Sequence, residues 1–419
     1  MSAEGIGKES GSTKLRFALV TLVALACVGG GMVAWGGDAH DPGRRAAAPQ
    51  DTTPAEKVVL SHDDSAPVPT APVKERKLRK GEQRSTLTMD EPYSPSPPTG
   101  KGTDDYRCFL LDPDLPEDAW LTGTQILPGN PEVVHHVILF RIGADELADA
   151  EAADAESPDP GWTCFGGMGI EGEFNNVDDA AWLGAWAPGG RETVSRKGYG
   201  VSLDSDTRIV MQVHYNLLKG DAPDLSSTQI RWTPKAGSDI KAVHTTLLPA
   251  PVEMPCRPDH ALGALCDREA SIEDAKERVG DETGQLANLL HLLCGTNVYA
   301  TQTTTCTRTI PRSMTVLGAA GHMHLLGQWL KIEANPGTPD ASEVLDIPLW
   351  NFDDQSARQV EPLHLDAGDT LRVTCHHTQE LSDLLPAFDG TQEKYVVWGE
   401  GTTDEMCLGI LQVVFDDEI

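Results

Sequence analysis

The chain has 419 residues, 39% hydrophobic and 23% charged, a balance that suits a globular protein with room for two or three domains. Asp plus Glu number 64 against 33 Lys plus Arg, a net charge of −31. Nucleic acid and anionic membrane surfaces would repel such a chain, so both are excluded as its main partner. An acidic solvated surface accounts for the charge, and a small neutral or cationic substrate is compatible with it.

Lys8, Lys14 and Arg16 precede the apolar run "FALVTLVALACVGGGMVAWGG" at 17–37. A basic flank before an apolar run reads as a secretory signal or an uncleaved anchor, and about 20 apolar residues just span a bilayer. Cys27 follows Ala24-Leu25-Ala26, a poor match to a lipoprotein cleavage box. Residues 1–37 are therefore expected to direct export to the periplasm or the extracellular side, with a membrane tether through 17–37 as the alternative to cleavage and lipidation at Cys27 as a minor third option. Residues 38–100 hold ten of the 29 prolines and the basic run "KERKLRK" at 74–80, with no apolar periodicity. They are expected to form a disordered linker carrying a solvated charge run.

From about residue 101 short β-rich runs alternate with Gly, Pro and Asp turns. They include "VVHHVILFRI" (133–142), "TRIVMQVHYNLL" (207–218), "SMTVLGAAGHMHLLG" (313–327), "DTLRVTCHHT" (369–378) and "CLGILQVVF" (407–415). This spacing predicts an all-β chain of two tandem antiparallel β-sandwich, jelly-roll-like domains, at 101–235 and 236–419. One helical stretch, "SIEDAKERVGDETGQLANLLHLL" (271–293), lies between Cys266 and Cys294. It marks a partly helical, disulfide-bounded insertion at about 253–305 of the second sandwich.

Nine cysteines agree with export. Cys27 sits in the apolar run, and the remaining eight suggest four disulfides in an oxidising compartment. The absence of a CxxC argues against a thiolate zinc site.

Four stretches carry the candidate chemistry: His135-His136 in "EVVHHVILF", His214 in "MQVHYN", His322 and His324 in "GHMHLLG", and Met406 in "DEMCLG". An i, i+2 pair on a strand points to one face, so His322 and His324 can share an ion while Met323 turns away. Adjacent His135 and His136 point to opposite faces of a regular strand and reach one ion only through a twist or bulge. Neutral imidazole suits copper, zinc, iron and nickel, and a thioether favours Cu(I). HExxH, an oxygen-rich cation cage and a Gly-rich phosphate loop are all missing. Copper is the metal that suits the inventory.

In order and rough spacing, "VVHHVILF", "MQVHYN", "GHMHLLG" and "DEMCLG", with the flank "AWAPGG" (185–190), resemble the copper type II, ascorbate-dependent monooxygenases, a family that includes the peptidylglycine α-hydroxylating and dopamine β-monooxygenases. The resemblance runs from about Tyr106 to Phe415. It implies two copper ions per chain: an electron-transfer site held by His135, His136 and His214, and an oxygen-binding site held by His322, His324 and Met406. It implies that the sites face each other across a solvent-filled cleft, that ascorbate reduces them, and that O2 and a small-molecule substrate meet at the Met-bearing one. Tyr106 and Gln212 match positions beside the three-histidine site. Cys108–Cys164 and Cys375–Cys407 match family disulfides. Cys306 is expected to pair with Cys256, Cys266 or Cys294.

The chain departs from the peptide-amidating members at two positions. Ala320 stands where they carry a carboxylate-clamping Arg, and Leu408 where they carry an Asn. Loss of the bidentate guanidinium argues against a C-terminal glycine peptide as substrate. An acidic chain with an apolar Leu408 leaves room for an aromatic amine. His376-His377 match no family ligand and read as exposed strand histidines; His364 and His291 read as structural or surface residues. The expectation is thus an exported copper monooxygenase, with a non-catalytic copper-binding β-sandwich module, for storage or structure, as the rival.

Overall fold

Strand alternation organises the first half of the protein. In the strand Arg208–Asn216, Ile209, Met211, Val213 and Tyr215 are fully buried in the core, whereas Val210, Gln212 and His214 point the other way. That strand is central in a five-stranded sheet ordered Trp162–Thr163, Asp104–Leu111, Arg208–Asn216, Val134–Ile142, Trp182–Trp186. A second sheet, ordered Gln83–Thr88, Ser227–Pro234, Ala119–Leu127, Tyr199–Leu203, Lys241–Ala242, packs against it. Leu121, Ile126 and Ile230 from the second sheet meet Val137, Leu139 and Met211 from the first in one core. Helix α1 (Ala144–Glu156) covers the far face, where Ala150 packs with Phe140 and Trp162 beside the disulfide Cys108–Cys164.

The computed structural model describes residues 75–170, 177–188 and 190–418, all within one compact unit, Lys57–Ile419. The expected export segment at 17–37 lies outside the described residues. Among those described, no helix is long and apolar enough to cross a membrane.

The second half repeats the plan. His244–Pro249, Leu408–Phe415, Met314–His322 and Arg358–Leu365 form one four-stranded sheet; Thr303–Thr309, Thr370–His377, Gly327–Ala334 and Ser342–Ile347 form the other. Met314, Val316, Leu411 and Val413 pack onto Leu330, Ile332, Leu371 and Val373 between them. Val243, Leu317 and Val414 pack with Tyr199 and Val201, joining the two halves. The all-β sandwich expectation therefore holds. The first half's sheets extend to Ala242, past the expected boundary at 235, because Lys241–Ala242 pairs in parallel with Tyr199–Gly200.

Three expectations need correction. Part of the expected linker belongs to the fold: Gln83–Thr88 pairs along its length with Ser227–Trp232. Buried Arg231 also binds Glu82 and Glu192, and Arg84 reaches Glu192 at 2.8 Å. The basic run is partly tied down as well, since Arg79 donates to the Ser195 carbonyl at 2.5 Å. The single helical stretch is two helices, α2 (Arg268–Val279) and α3 (Asp281–Cys294). They break at Gly280, whose φ of +109° lies where L side chains are disfavoured. Finally, the acidic run at 144–156 is a helix that strand-centred reading passes over.

Among the described residues, four disulfides close the chain: Cys108–Cys164, Cys256–Cys266, Cys294–Cys306 and Cys375–Cys407. They fit an oxidising, exported environment. Cys294 is the partner of Cys306, and two of the bridges bracket the helical insertion.

Candidate metal centre

A β-bulge builds the first histidine set. Val134 pairs with Tyr215 and His136 with His214, so His135 is the extra residue between two registered pairs. The bulge brings His135 round to the face carrying His136 and His214, as two adjacent histidines sharing one ion require. Nδ1 of His136 and Nδ1 of His214 are 3.2 Å apart. One ligand atom from each of the three residues lies within 4.8 Å of the others. The Nε2 of His214 meets Asp104 Oδ1 at 2.8 Å, which leaves Nδ1 for the shared point. Asp104 also accepts from the backbone N–H and hydroxyl of Thr402. Burial alone would raise the Asp104 carboxyl, but the bonds from His214 and Thr402 outweigh it and hold the group below its ordinary range.

Tyr106 stacks on His214 at 4.1 Å and 9°, and its hydroxyl donates to the Glu400 carbonyl at 2.7 Å. Gln212 lies on the same face but spends its amide on the Cys164 and Gly167 carbonyls, so it braces the disulfide loop instead of a histidine.

The second set stands at a strand end. His322 pairs with Leu408, and Met323 between the histidines is fully buried in the sandwich core. His322 Nδ1 meets Gln355 Oε1 at 2.6 Å, and His324 Nδ1 meets the Asp404 carbonyl at 3.2 Å. Both rings therefore keep Nε2 for another partner. Met406 sits in the adjoining loop, just before Cys407, whose bridge to Cys375 ties the loop to the strand Thr370–His377 of the other sheet. Glu405, 0% exposed, fastens loop and strand together. It accepts from the His324 amide at 2.9 Å, the Leu326 amide at 2.6 Å and the Met406 amide at 3.3 Å.

The two sets adjoin. The rings of His136 and His322 are 5.8 Å apart. Phe352, 4% exposed, stacks on His135 at 4.4 Å and 22°. The open cleft implied by the resemblance is closed here, because Phe352 fills it from one side and the loop 399–406 bonds across it from the other. Burial, followed by the neighbouring imidazoles, holds His135 and His136 well below the ordinary histidine range. Burial pushes His322 down to about 3 and also lowers His324. All four are neutral imidazoles near neutral pH, the form that binds a metal.

Among the described residues, neither ring nitrogen of His135 nor Nε2 of His324 has a hydrogen-bond partner, although all are buried. Buried polar atoms are normally satisfied, so such orphans ask for a ligand. Imidazole nitrogens are donors of the kind a soft or borderline metal takes, and Met406 in the adjoining loop is the one thioether candidate, so the residues fit copper. A second cluster, His260, Asp383 and Glu393, already contains a cation: Arg257 lies 2.6 Å from Asp383 and 2.9 Å from His260. A cavity of about 480 Å3 lined by Tyr93, Asp105, Arg107 and Asp159 touches none of the candidate ligands.

His377 corrects the reading of the 376–377 pair. It is 1% exposed, and its Nε2 lies 3.0 Å from the Met406 carbonyl and 3.2 Å from Glu405. Strand alternation accounts for this, since His376 turns outward to stack on Trp329. His364 and His291 make carboxylate contacts at 2.8 Å with Asp416 and Glu253, in line with structural or surface roles. Sequence reading missed Asp104, Phe352, Gln355, Thr402 and Glu405. Asp104 had a usable signal, because it shares a face with Tyr106 two residues on; Phe352 and Gln355 lie in a turn-rich stretch with no periodicity to mark them.

No family model matches the chain, and no curated protein matches it. Among solved structures, it is similar to the major capsid protein P2 of bacteriophage PM2, at 9% identity over 80% of this chain and 98% of that one, with a TM-score of 0.28. It is also similar to a Paenibacillus xanthan lyase, at 12% identity over 84% of this chain and 27% of that one, with a TM-score of 0.17. Likenesses this distant carry no argument about function.

Proposed function

We propose that this protein is an exported, copper-dependent monooxygenase that hydroxylates a substrate C–H bond. One observation carries the reading: His135, His136 and His214 gather as one set of three imidazoles, and His322 and His324 stand as a second pair fastened to the loop that carries Met406, with buried ring nitrogens left unpartnered. His135, His136 and His214 would hold one copper; His322, His324 and Met406 would hold the other. Bound copper supplies one-electron redox chemistry, by which two electrons from ascorbate or a like reductant let one oxygen atom of O2 enter the substrate while the other leaves as water.

The chain's own residues orient and shield this chemistry. Asp104 and Tyr106 set the plane and free nitrogen of His214. Gln355 and the Asp404 carbonyl do the same for His322 and His324. Ala320 and Leu408 bring no donor to the second set, which supports a substrate without a carboxylate to clamp.

The non-catalytic copper-binding module has one observation in its favour: Phe352 stacks on His135 and closes the space between the two sets that the resemblance leaves open to solvent. Oxygen uptake separates the two readings. The enzyme reading expects ascorbate to drive copper-dependent O2 consumption with a panel of amines and phenols, and 18O2 to label a hydroxylated product. Met406→Ile should abolish the product while the three-histidine set still binds copper. Full activity in that variant would remove Met406 from its role. No O2 consumption with any compound, at full copper loading, would favour the module.

A further inference from the structure

The loop 399–406 touches both histidine sets. At its start the Glu400 carbonyl accepts from Tyr106, the residue stacked on His214. Thr402, 1% exposed, donates its amide at 3.2 Å and its hydroxyl to Asp104, whose same oxygen binds His214 Nε2. Two residues later the Asp404 carbonyl meets His324 Nδ1, and Glu405 accepts from the His324 amide. Residues 402–404 thus connect Asp104 to His324, with Thr402 bonded at one end and the Asp404 carbonyl at the other.

The loop has little freedom to move one end without the other. Asp404 is held bidentately by Arg278 of α2, at 2.8 and 2.9 Å, and also by Lys394. The Gly401 amide caps the Asp404 carboxylate at 3.2 Å, and a Cβ at Gly401 would lie 2.8 Å from that carboxylate and 2.9 Å from Arg278. The loop is a short, mostly buried strut bonded towards both ends. Any shift of Asp104 that accompanies ligation of His214 therefore reaches His324.

We propose that this strut couples the two sets, with Thr402 as the positioning residue, so that metal bound at either set strengthens binding at the other. The inference rests on the copper reading above. Coupling of this kind is reciprocal, and typical couplings between sites change affinity about 5- to 150-fold.

The test titrates Cu(I) into the full chain against a competing chromophoric chelator, reading affinity at the three-histidine set. Four variants accompany the parent: Thr402→Val, Thr402→Ser, His322→Ala/His324→Ala, and that double variant combined with Thr402→Val. The expected results are a roughly tenfold loss at the three-histidine set on removing His322 and His324, and a similar loss with Thr402→Val. Thr402→Ser, which keeps the hydroxyl, should hold parental affinity. The combined variant should be no weaker than Thr402→Val alone, because the route is already cut. Thr402→Ala repeats the test if the valine side chain prevents folding.

Parental affinity in Thr402→Val, or losses that simply add in the combined variant, would overturn the coupling and leave the copper reading standing. A parent chain that binds no copper would overturn that reading and the coupling with it.

Discussion

The two histidine sets solve one problem with different parts of the backbone. The first lies within a sheet: His136 and His214 are a registered cross-strand pair, and a bulge adds His135. Its geometry is set by the same ladder that buries Val137 and Val213, so it can change only if the sandwich core changes. The second lies where a sheet ends. His322 is the last residue of its strand, His324 lies beyond it, and Met406 belongs to a loop. There the ladder has run out, and a buried carboxylate, a disulfide and two side-chain clamps replace it. A ladder sets the first site through the sheet itself, whereas the second depends on the few bonds that fasten its loop.

Breaking the first set should have the largest effect. His214→Ala removes a ligand from the ladder site. Its loss of copper affinity, read by chelator competition, should exceed the roughly 10- to 100-fold expected for Asp104→Asn, which removes only the outer partner. Equal effects would mean that His214 is no ligand. Next comes Glu405→Ala. It leaves the buried amides of His324 and Leu326 without an acceptor, at about 1–3 kcal/mol each. Denaturant unfolding should therefore show a loss of about 2–6 kcal/mol, and an unchanged midpoint would remove Glu405 from its fastening role.

The double variant Cys375→Ser/Cys407→Ser should cost ~2–5 kcal/mol and loosen the Met406 loop while sparing the ladder site. Copper spectroscopy on the two sets distinguishes this from general unfolding. The smallest effect concerns His244, which meets Asp179 at 2.9 Å and Glu418 at 2.7 Å. Burial lowers its pKa, but the bonds to these two carboxylates outweigh burial and raise it. A raised folded value means that this contribution is full below the ordinary histidine range. It fades as pH rises through the folded value. His244→Gln should flatten that stretch of the stability–pH curve, and an unaltered curve would contradict the assignment.

The fold class was legible because it rests on local signals, whereas the candidate ligands were singled out by their resemblance to a family pattern. Alternation in "MQVHYN" separates Met211 and Val213 from Gln212 and His214, and the pair "HH" on a strand already demanded a bulge. What was not legible depends on contacts distant in sequence. Gln83–Thr88 is a strand because Ser227–Trp232 is there to receive it, and a proline-rich setting hid its pattern. Thr402 matters because Asp104, 298 residues away, lies beneath it. His377 read as exposed because it matches no family ligand, although it shares a strand face with buried Cys375 and the Met406 carbonyl lies against its ring. The closed arrangement of the two sets was invisible for the same reason: Phe352 and the loop 399–406 close it, and neither carries a periodic signal.

Copper stoichiometry of the full chain, beside a His322→Ala/His324→Ala variant, tests the central claim most directly. Two coppers in the parent and one in the variant, with the nitrogen-rich signal of the ladder site retained, is the predicted result. One copper or none in the parent, or zinc in its place, would contradict the account.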